Sequence, residues 1–148
     1  MKIQTDTTKV LIFSFCVFIL FIFAYLTGFG LRFNASESLP HTLYFSTAVG
    51  ELELGQVVDF KLTYSQVTFA KIIAGVPGDI IHVKEGKVFI NDSEIGKIIE
   101  PFKPISAGTI PEEYFFVMGT HPESFDSRYE MFGLVHRDVI REKLCPIF

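Results

Sequence analysis

The sequence predicts a mainly β protein, a single antiparallel β-rich domain hung on one N-terminal transmembrane helix. Three observations predict it. The run Val10–Leu31, VLIFSFCVFILFIFAYLTGFGL, holds no charged residue, and about 20 apolar residues suffice to cross a bilayer as a helix. Beyond Arg32, short segments rich in Val, Ile, Phe and Tyr recur, which is the composition of strands. Between them stand tight-turn signals, Gly75-Val76-Pro77-Gly78-Asp79 and Glu85-Gly86.

The elements follow in order. Residues 1–9 form a short polar tail, 10–31 the anchor and 32–148 one β-rich domain. A cleaved signal peptide is the competing reading of the first segment. Its apolar core would run only about 7–15 residues and end at a small-x-small site, for which Gly28-Phe29-Gly30 is a poor candidate. Lys2 and Lys9 precede the run and only Arg32 follows closely. The positive-inside rule therefore puts the tail in the cytoplasm and residues 32–148 outside, in a single-pass protein. In the domain, TLYFS, QVVDFKL and VTFAKIIA read as strands, and DIIHVKEGKVFIND reads as a hairpin turning at Glu85-Gly86. EYFFVMG and GLVHRDVI are further strands. Pro101–Glu113, with three prolines, is a connecting loop, and the closing REKLCPIF fits strand or tail equally.

Charge and composition exclude several functions. Without Lys2, Lys9 and Asp6 the remainder carries 11 basic and 16 acidic residues, so no electrostatic case exists for nucleic acid. The two cysteines, Cys16 in the run and Cys145 near the end, form no disulfide framework. His41, His82, His121 and His136 are scattered, and nothing has the spacing of a metal site or calls for a cofactor.

Three segments carry candidate chemistry. In SESLP, Pro40 fixes its own backbone and pushes Leu39 towards an extended shape, so Ser38 is presented from a stiff stretch. That suits a nucleophile, and it equally suits an ordinary turn. In FAKIIAGVPGD, Lys71 interrupts an apolar strand. It either points to water or is partly buried, in which case its ammonium form is disfavoured and the amine can act as a base. The turn that follows, with Gly75, Pro77, Gly78 and Asp79, fixes where the strand ends and so where Lys71 points. In SFDSRYEMFG, Ser124, Asp126 and Arg128 crowd together. They form either a polar loop with a local ion pair, or a shell in which a hydroxyl holds the lysine and a carboxylate–guanidinium pair locks the loop.

The order of these boxes behind one anchor resembles the type I signal peptidase family, membrane-tethered serine proteases with a serine–lysine dyad. LGQVVDF, GVPGDIIHVKEGKVFIND and SFDSRYEMFGLV extend the resemblance over most of the chain. It implies Ser38 as nucleophile and Lys71 as general base. It implies Ser36 as an oxyanion donor beside the Ser38 amide, and Ser124 as the hydroxyl that orients the lysine. Asp126 and Arg128 become a supporting pair, and the glycines, Pro77 and Asp79 a structural turn. The sequence departs from common bacterial members in having Ser-Leu-Pro, Ile72 after the lysine, and Gly-Thr-His-Pro in the last box. These features resemble the conjugative-transfer (TraF-type) branch, although Thr42 stands where that branch usually has glycine. The implied partners are the bilayer and precursors bearing signal peptides, or a prepilin, with no metal and no nucleic acid. Ser38 lies seven positions beyond Leu31, at most about 23–25 Å of extended chain, so the nucleophile is expected near the outer membrane surface. A non-catalytic, membrane-anchored assembly factor of a secretion or conjugation complex is the alternative from another class, and a secreted β protein without its first 30 residues is a third.

Overall fold

A computed structural model describes residues 3–34 and 38–147. Helix α1, Ile3–Thr27, contains Asp6–Leu26, long and apolar enough to cross a membrane. It stops at Thr27 rather than running on to Leu31. Gly28 takes φ +68° and Phe29 N–H donates to Ala24 O at 3.0 Å, while the Phe29 ring stacks on Phe23. This is a Schellman stop: glycine in the left-handed region, a six-to-one hydrogen bond, and an apolar clasp beside it. The uncharged run therefore ends as strand β1, Gly30–Phe33, which an apolar count cannot separate from the helix before it.

The remaining elements are β2 (Leu43–Ala48), β3 (Val57–Lys61), β4 (Thr68–Gly75), β5 (Ile80–Lys84), β6 (Lys87–Ile90), β7 (Ser93–Lys97), β8 (Gly108–Thr109), β9 (Tyr114–Met118), β10 (Val135–His136) and β11 (Ile140–Pro146). All named pairings are antiparallel. One sheet runs β1-β2-β11-β3-β4-β9-β10 and a smaller one β7-β6-β5-β8. The mainly β, antiparallel class with one apolar N-terminal helix is thus the observed fold. The expected hairpin turns at Glu85 and Gly86, both at positive φ, as a two-residue type I′ turn requires.

Three details differ from expectation. Strand β7 is polar and contains Gly96, so it lacks the apolar alternation that marks a strand in sequence. The proline-rich loop yields the two-residue β8, paired to Ile80 and Ile81. GLVHRDVI is only briefly a strand. It gives β10 and then a 3-10 turn, Arg137–Val139, capped by His136 Nδ1 accepting from Asp138 N–H. The open question of the C-terminus resolves as β11, inserted between β2 and β3.

The β3–β4 ladder organises the interior. Val58 pairs with Lys71 and Phe60 with Phe69; on alternate rungs Val57 pairs with Ile72 and Asp59 with Ala70. Because side chains alternate along a strand, Val58, Phe60, Phe69 and Ile73 face one core, completed by Phe115, Val117, Phe132 and Val135. Val57, Ala70 and Ile72 face a second, smaller core of Leu39, Tyr44 and Leu144.

Candidate active site

Lys71 shares its strand face with Phe69 and Ile73, so alternation alone sends it inwards, and it is 3% exposed. A lysine in that position needs acceptors, because an unpaired buried ammonium costs several kcal/mol. It finds two hydroxyls. Nζ hydrogen-bonds Ser124 Oγ at 2.6 Å and Ser38 Oγ at 3.0 Å. Burial lowers the lysine pKa from its ordinary 10.5. Asp126 pulls it back up, Arg128 pushes it further down, and the balance is downward.

Ser38 is held from both sides. Leu39 buries its side chain against Tyr44 and Leu144, which anchors the segment to the sheet. The Ser38 carbonyl accepts from Thr120 N–H at 2.8 Å and from the Thr120 hydroxyl at 3.3 Å. The hydroxyl of Ser38 is left half-buried, facing the lysine. Ser36 lies outside the described residues.

Ser124 depends on the buried pair behind it. Arg128 Nε donates to Asp126 Oδ1 at 2.8 Å and Nη2 to Oδ2 at 3.0 Å, a two-point contact. Nη2 also reaches the Ser124 carbonyl at 2.9 Å, and Nη1 the Pro122 carbonyl at 3.0 Å. Asp126 in turn accepts from Gly119 N–H at 3.0 Å. The pair therefore spends most of its capacity on the backbone of its own loop, fixing both ends of residues 119–128, and Nη1 also reaches the Lys97 carbonyl at 3.3 Å. Charge-assisted, bidentate bonds of this kind set geometry as well as adding energy.

The structure thus brings Ser38, Lys71, Ser124, Asp126 and Arg128 into one contiguous network. Gly75, Pro77, Gly78 and Asp79 form the turn after β4. Asp79 Oδ2 accepts from Val76 N–H and Oδ1 from the Asn91 amide, so this turn bonds to itself and to the hairpin rather than to Ser38. Gly78, at φ +90°, supplies the left-handed residue there.

Two residues of the network are not among the sequence candidates. Thr120 fixes the Ser38 carbonyl. Gly119 is required by space: a Cβ there would collide with the Ser124 hydroxyl and lie 3.0 Å from the Ser38 carbonyl. The available signal is the Gly-Thr-His-Pro box that opens at Gly119, which bears on the family resemblance but assigns neither residue a role.

Comparison with known proteins adds family evidence. A family model described as "Signal peptidase, peptidase S26" matches residues 5–146. A Bacillus licheniformis protein described as "Signal peptidase I" is 27% identical over 106 residues, 60% of this chain and 55% of that protein, so the chain spans about half the length of that relative. A crystal structure of a signal peptidase I from Enterococcus faecalis aligns at 20% identity and TM-score 0.44, covering 63% of this chain and 96% of that one. With nearly its whole length matched by the family model, the chain belongs to the peptidase S26 signal peptidase family.

Proposed function

We propose that this protein is a membrane-anchored serine endopeptidase that removes signal or leader peptides from exported precursors, with Ser38 as nucleophile and Lys71 as general base. One observation carries the reading: a buried lysine with a lowered pKa lies 3.0 Å from a half-exposed serine hydroxyl. A neutral amine has one lone pair and two hydrogens. It can accept the Ser38 proton while donating to Ser124 Oγ, so the second serine fixes the direction of the lone pair.

Ser38 Oγ attacks the scissile carbonyl as its proton passes to Lys71 Nζ. The C–N bond breaks, the leaving amine takes that proton, and an ester on Ser38 remains. Water then repeats the transfer and frees the acyl group. Lys71 must be uncharged at the start, so activity rises as pH climbs through its lowered pKa.

Helix α1 supports a retained anchor, and Lys2 and Lys9 before it favour residues 32–148 outside, in the inner membrane. The Schellman stop passes the chain directly from α1 into β1, which favours a position for Ser38 near the membrane surface, where a precursor's own apolar segment ends. Ser38-Leu39-Pro40, Ile72 and Gly119-Thr120-His121-Pro122 favour a place in the conjugative-transfer branch, with a prepilin as the precursor.

The test is mass analysis of a co-expressed exported precursor. The intact chain shortens it; Ser38→Ala and Lys71→Ala each lower cleavage by at least about 10⁴-fold while accumulating normally in the membrane. Cleavage that survives either change would leave the assembly-factor reading in its place.

A further inference from the structure

Arg128 is 3% exposed, and a guanidinium carries five N–H donors in a fixed planar fork. Each buried donor left without an acceptor costs about 1–3 kcal/mol, and more on a charged group. Its own loop supplies acceptors at both ends of the fork. Nε donates to Asp126 Oδ1, Nη2 to Asp126 Oδ2 and to the Ser124 carbonyl, and Nη1 to the Pro122 carbonyl. The remaining bond leaves the loop: Nη1 donates to the Lys97 carbonyl at 3.3 Å. Lys97 closes β7, an edge strand of the small sheet.

Strand β7 is shaped around that contact. A Cβ on Gly96 would lie 3.0 Å from Nη1, 3.6 Å from Cδ and 3.9 Å from Cζ of Arg128. The guanidinium edge therefore fills the space in which any other residue would carry its side chain. The ladder with β6 slips beside it: Gly96 pairs with Val88 and Glu94 with Phe89, which leaves Ile95 as an extra residue. Such a bulge bends a strand and re-aims what stands next to it, here Gly96 and Lys97. The chain that leaves β7 then grips the Arg128 backbone. Ile105 N–H donates to the Arg128 carbonyl at 2.9 Å, Glu130 N–H donates to the Lys103 carbonyl at 3.0 Å, and Pro104 bridges to Tyr129. Arg128 is thus held by its side chain at residues 96–97 and by its main chain at residues 103–105.

We propose that Gly96 is a positioning residue for the Ser38–Lys71 reaction: its missing side chain lets the small sheet seat the Arg128 guanidinium, which holds the Ser124 carbonyl and so aims the Ser124 hydroxyl at Lys71. A methyl group at residue 96 forces the guanidinium aside by a few tenths of an ångström. A loosely held arginine would turn away at little cost. This one is bonded at every N–H, so the displacement passes to the Pro122 and Ser124 carbonyls. Ser124 Oγ then shifts against Lys71 Nζ, to which it is bonded at 2.6 Å. A polar, glycine-bearing strand that holds no reacting group thereby sets the geometry of the base.

The inference rests on the peptidase reading, and its test separates the two. Full-length protein in detergent is assayed on an exported precursor as wild type, Gly96→Ala, Gly108→Ala, Ser124→Ala and the double variant of Gly96→Ala with Ser124→Ala. Gly108 stands in the same sheet at φ +154°, close to the +156° of Gly96, but a Cβ there meets nothing within 4 Å. It therefore imposes the same backbone strain without the contact to Arg128. Gly96→Ala lowers kcat about fivefold and leaves KM within about twofold, while Gly108→Ala lowers kcat by less than about twofold. In the Ser124→Ala background the Gly96→Ala change also costs less than about twofold, because residues on one path are not additive. A Gly96→Ala loss under about twofold overturns the proposal, as does an equal loss in Gly108→Ala or a double variant in which the single losses multiply. If Gly96→Ala does not fold, the wild-type chain decides. Magnetic resonance with isotope-labelled arginine shows separate, slowly exchanging Nη1 and Nη2 signals for Arg128, since both ends are bonded, and one averaged signal overturns the proposal. Wild-type protein that cuts no exported precursor overturns the peptidase reading itself.

Discussion

Lys71 and Asp59 occupy neighbouring rungs of one ladder and leave it on opposite faces. Both are charged groups in a largely buried setting, and their surroundings treat them in opposite ways. Around Lys71, hydroxyls, a carboxylate, a guanidinium and backbone amides are bonded to one another in an unbroken chain from Ser38 to Arg128. Around Asp59 the best-placed cation is taken by another partner, and an oxygen is left over. A saturated network fixes positions, which a proton transfer needs before it begins. An unsaturated one leaves a buried polar group without the partner it had in water, which costs stability.

The largest effect should come from breaking the saturated side. Removing one partner of a buried, hydrogen-bonded ion pair costs about 3–5 kcal/mol because the other charge stays behind. Arg128→Met strands Asp126 and frees the carbonyls of Pro122 and Ser124. The expected result is a loss of that size in urea unfolding of the detergent-solubilised chain, with activity gone as well. A loss under about 1 kcal/mol would mean the pair is as dispensable as a surface contact.

A subtler break spares the charges. Gly119→Ala adds one methyl, which must displace Ser124 and press on the Ser38 carbonyl. A misplacement of about 1 Å at a reacting group can lower a rate by roughly 10². The expected outcome is therefore a kcat reduced about 100-fold with KM and the urea midpoint far less affected. Equal losses in all three would point to general misfolding of the loop.

How much of this is legible in sequence differs between the two faces. Ser38, Lys71, Ser124, Asp126 and Arg128 are polar residues in marked settings: a serine before a proline, a lysine in an apolar strand, a crowded polar loop. Their types already suggest bonding, and the segment order suggests that they meet. Gly119 and Thr120 stand in the Gly-Thr-His-Pro box without an assigned role, because Thr120 acts on Ser38, some 80 positions away, and Gly119 through its close approach to the Ser124 hydroxyl and the Ser38 carbonyl. Asp59 is harder still. In QVVDFKL it looks like the polar face of an ordinary strand, and only the coiling of β1 towards β4 buries that face. The strands with strong alternation and the Glu85-Gly86 turn could be read locally. The helix end at Gly28 could not, since apolar residues continue past it and only the capping geometry shows the change.

Smaller in effect is removal of the hydroxyl that orients the lysine. In Ser124→Ala the Lys71 ammonium loses an acceptor at 2.6 Å, which disfavours its charged form further. The maximal rate should fall about tenfold or somewhat more. The acid limb of the kcat/KM profile should move to lower pH, because the amine sheds its proton more easily. Movement to higher pH would show that Ser124 favours the neutral amine, reversing its assigned role.

The smallest expected effect lies on the unsaturated face, and its sign is what distinguishes the two. The folded-state pKa of Asp59 is raised above the unfolded 3.8, mainly by burial. Such a group binds more protons when folded, so its contribution is most favourable below 3.8 and declines as pH climbs through the raised value. At neutral pH the ionised carboxylate is a liability. Asp59→Asn keeps the shape and removes the charge, and should leave the protein unchanged to about 1 kcal/mol more stable at pH 7. That advantage should shrink as the pH is lowered through the raised value, where the wild-type carboxyl takes up a proton in the folded state. An asparagine variant less stable than the wild type at pH 7, with the deficit disappearing on acidification, would mean that Arg32 and Arg141 hold Asp59 as firmly as Arg128 holds Asp126, and the contrast between the two faces would be lost.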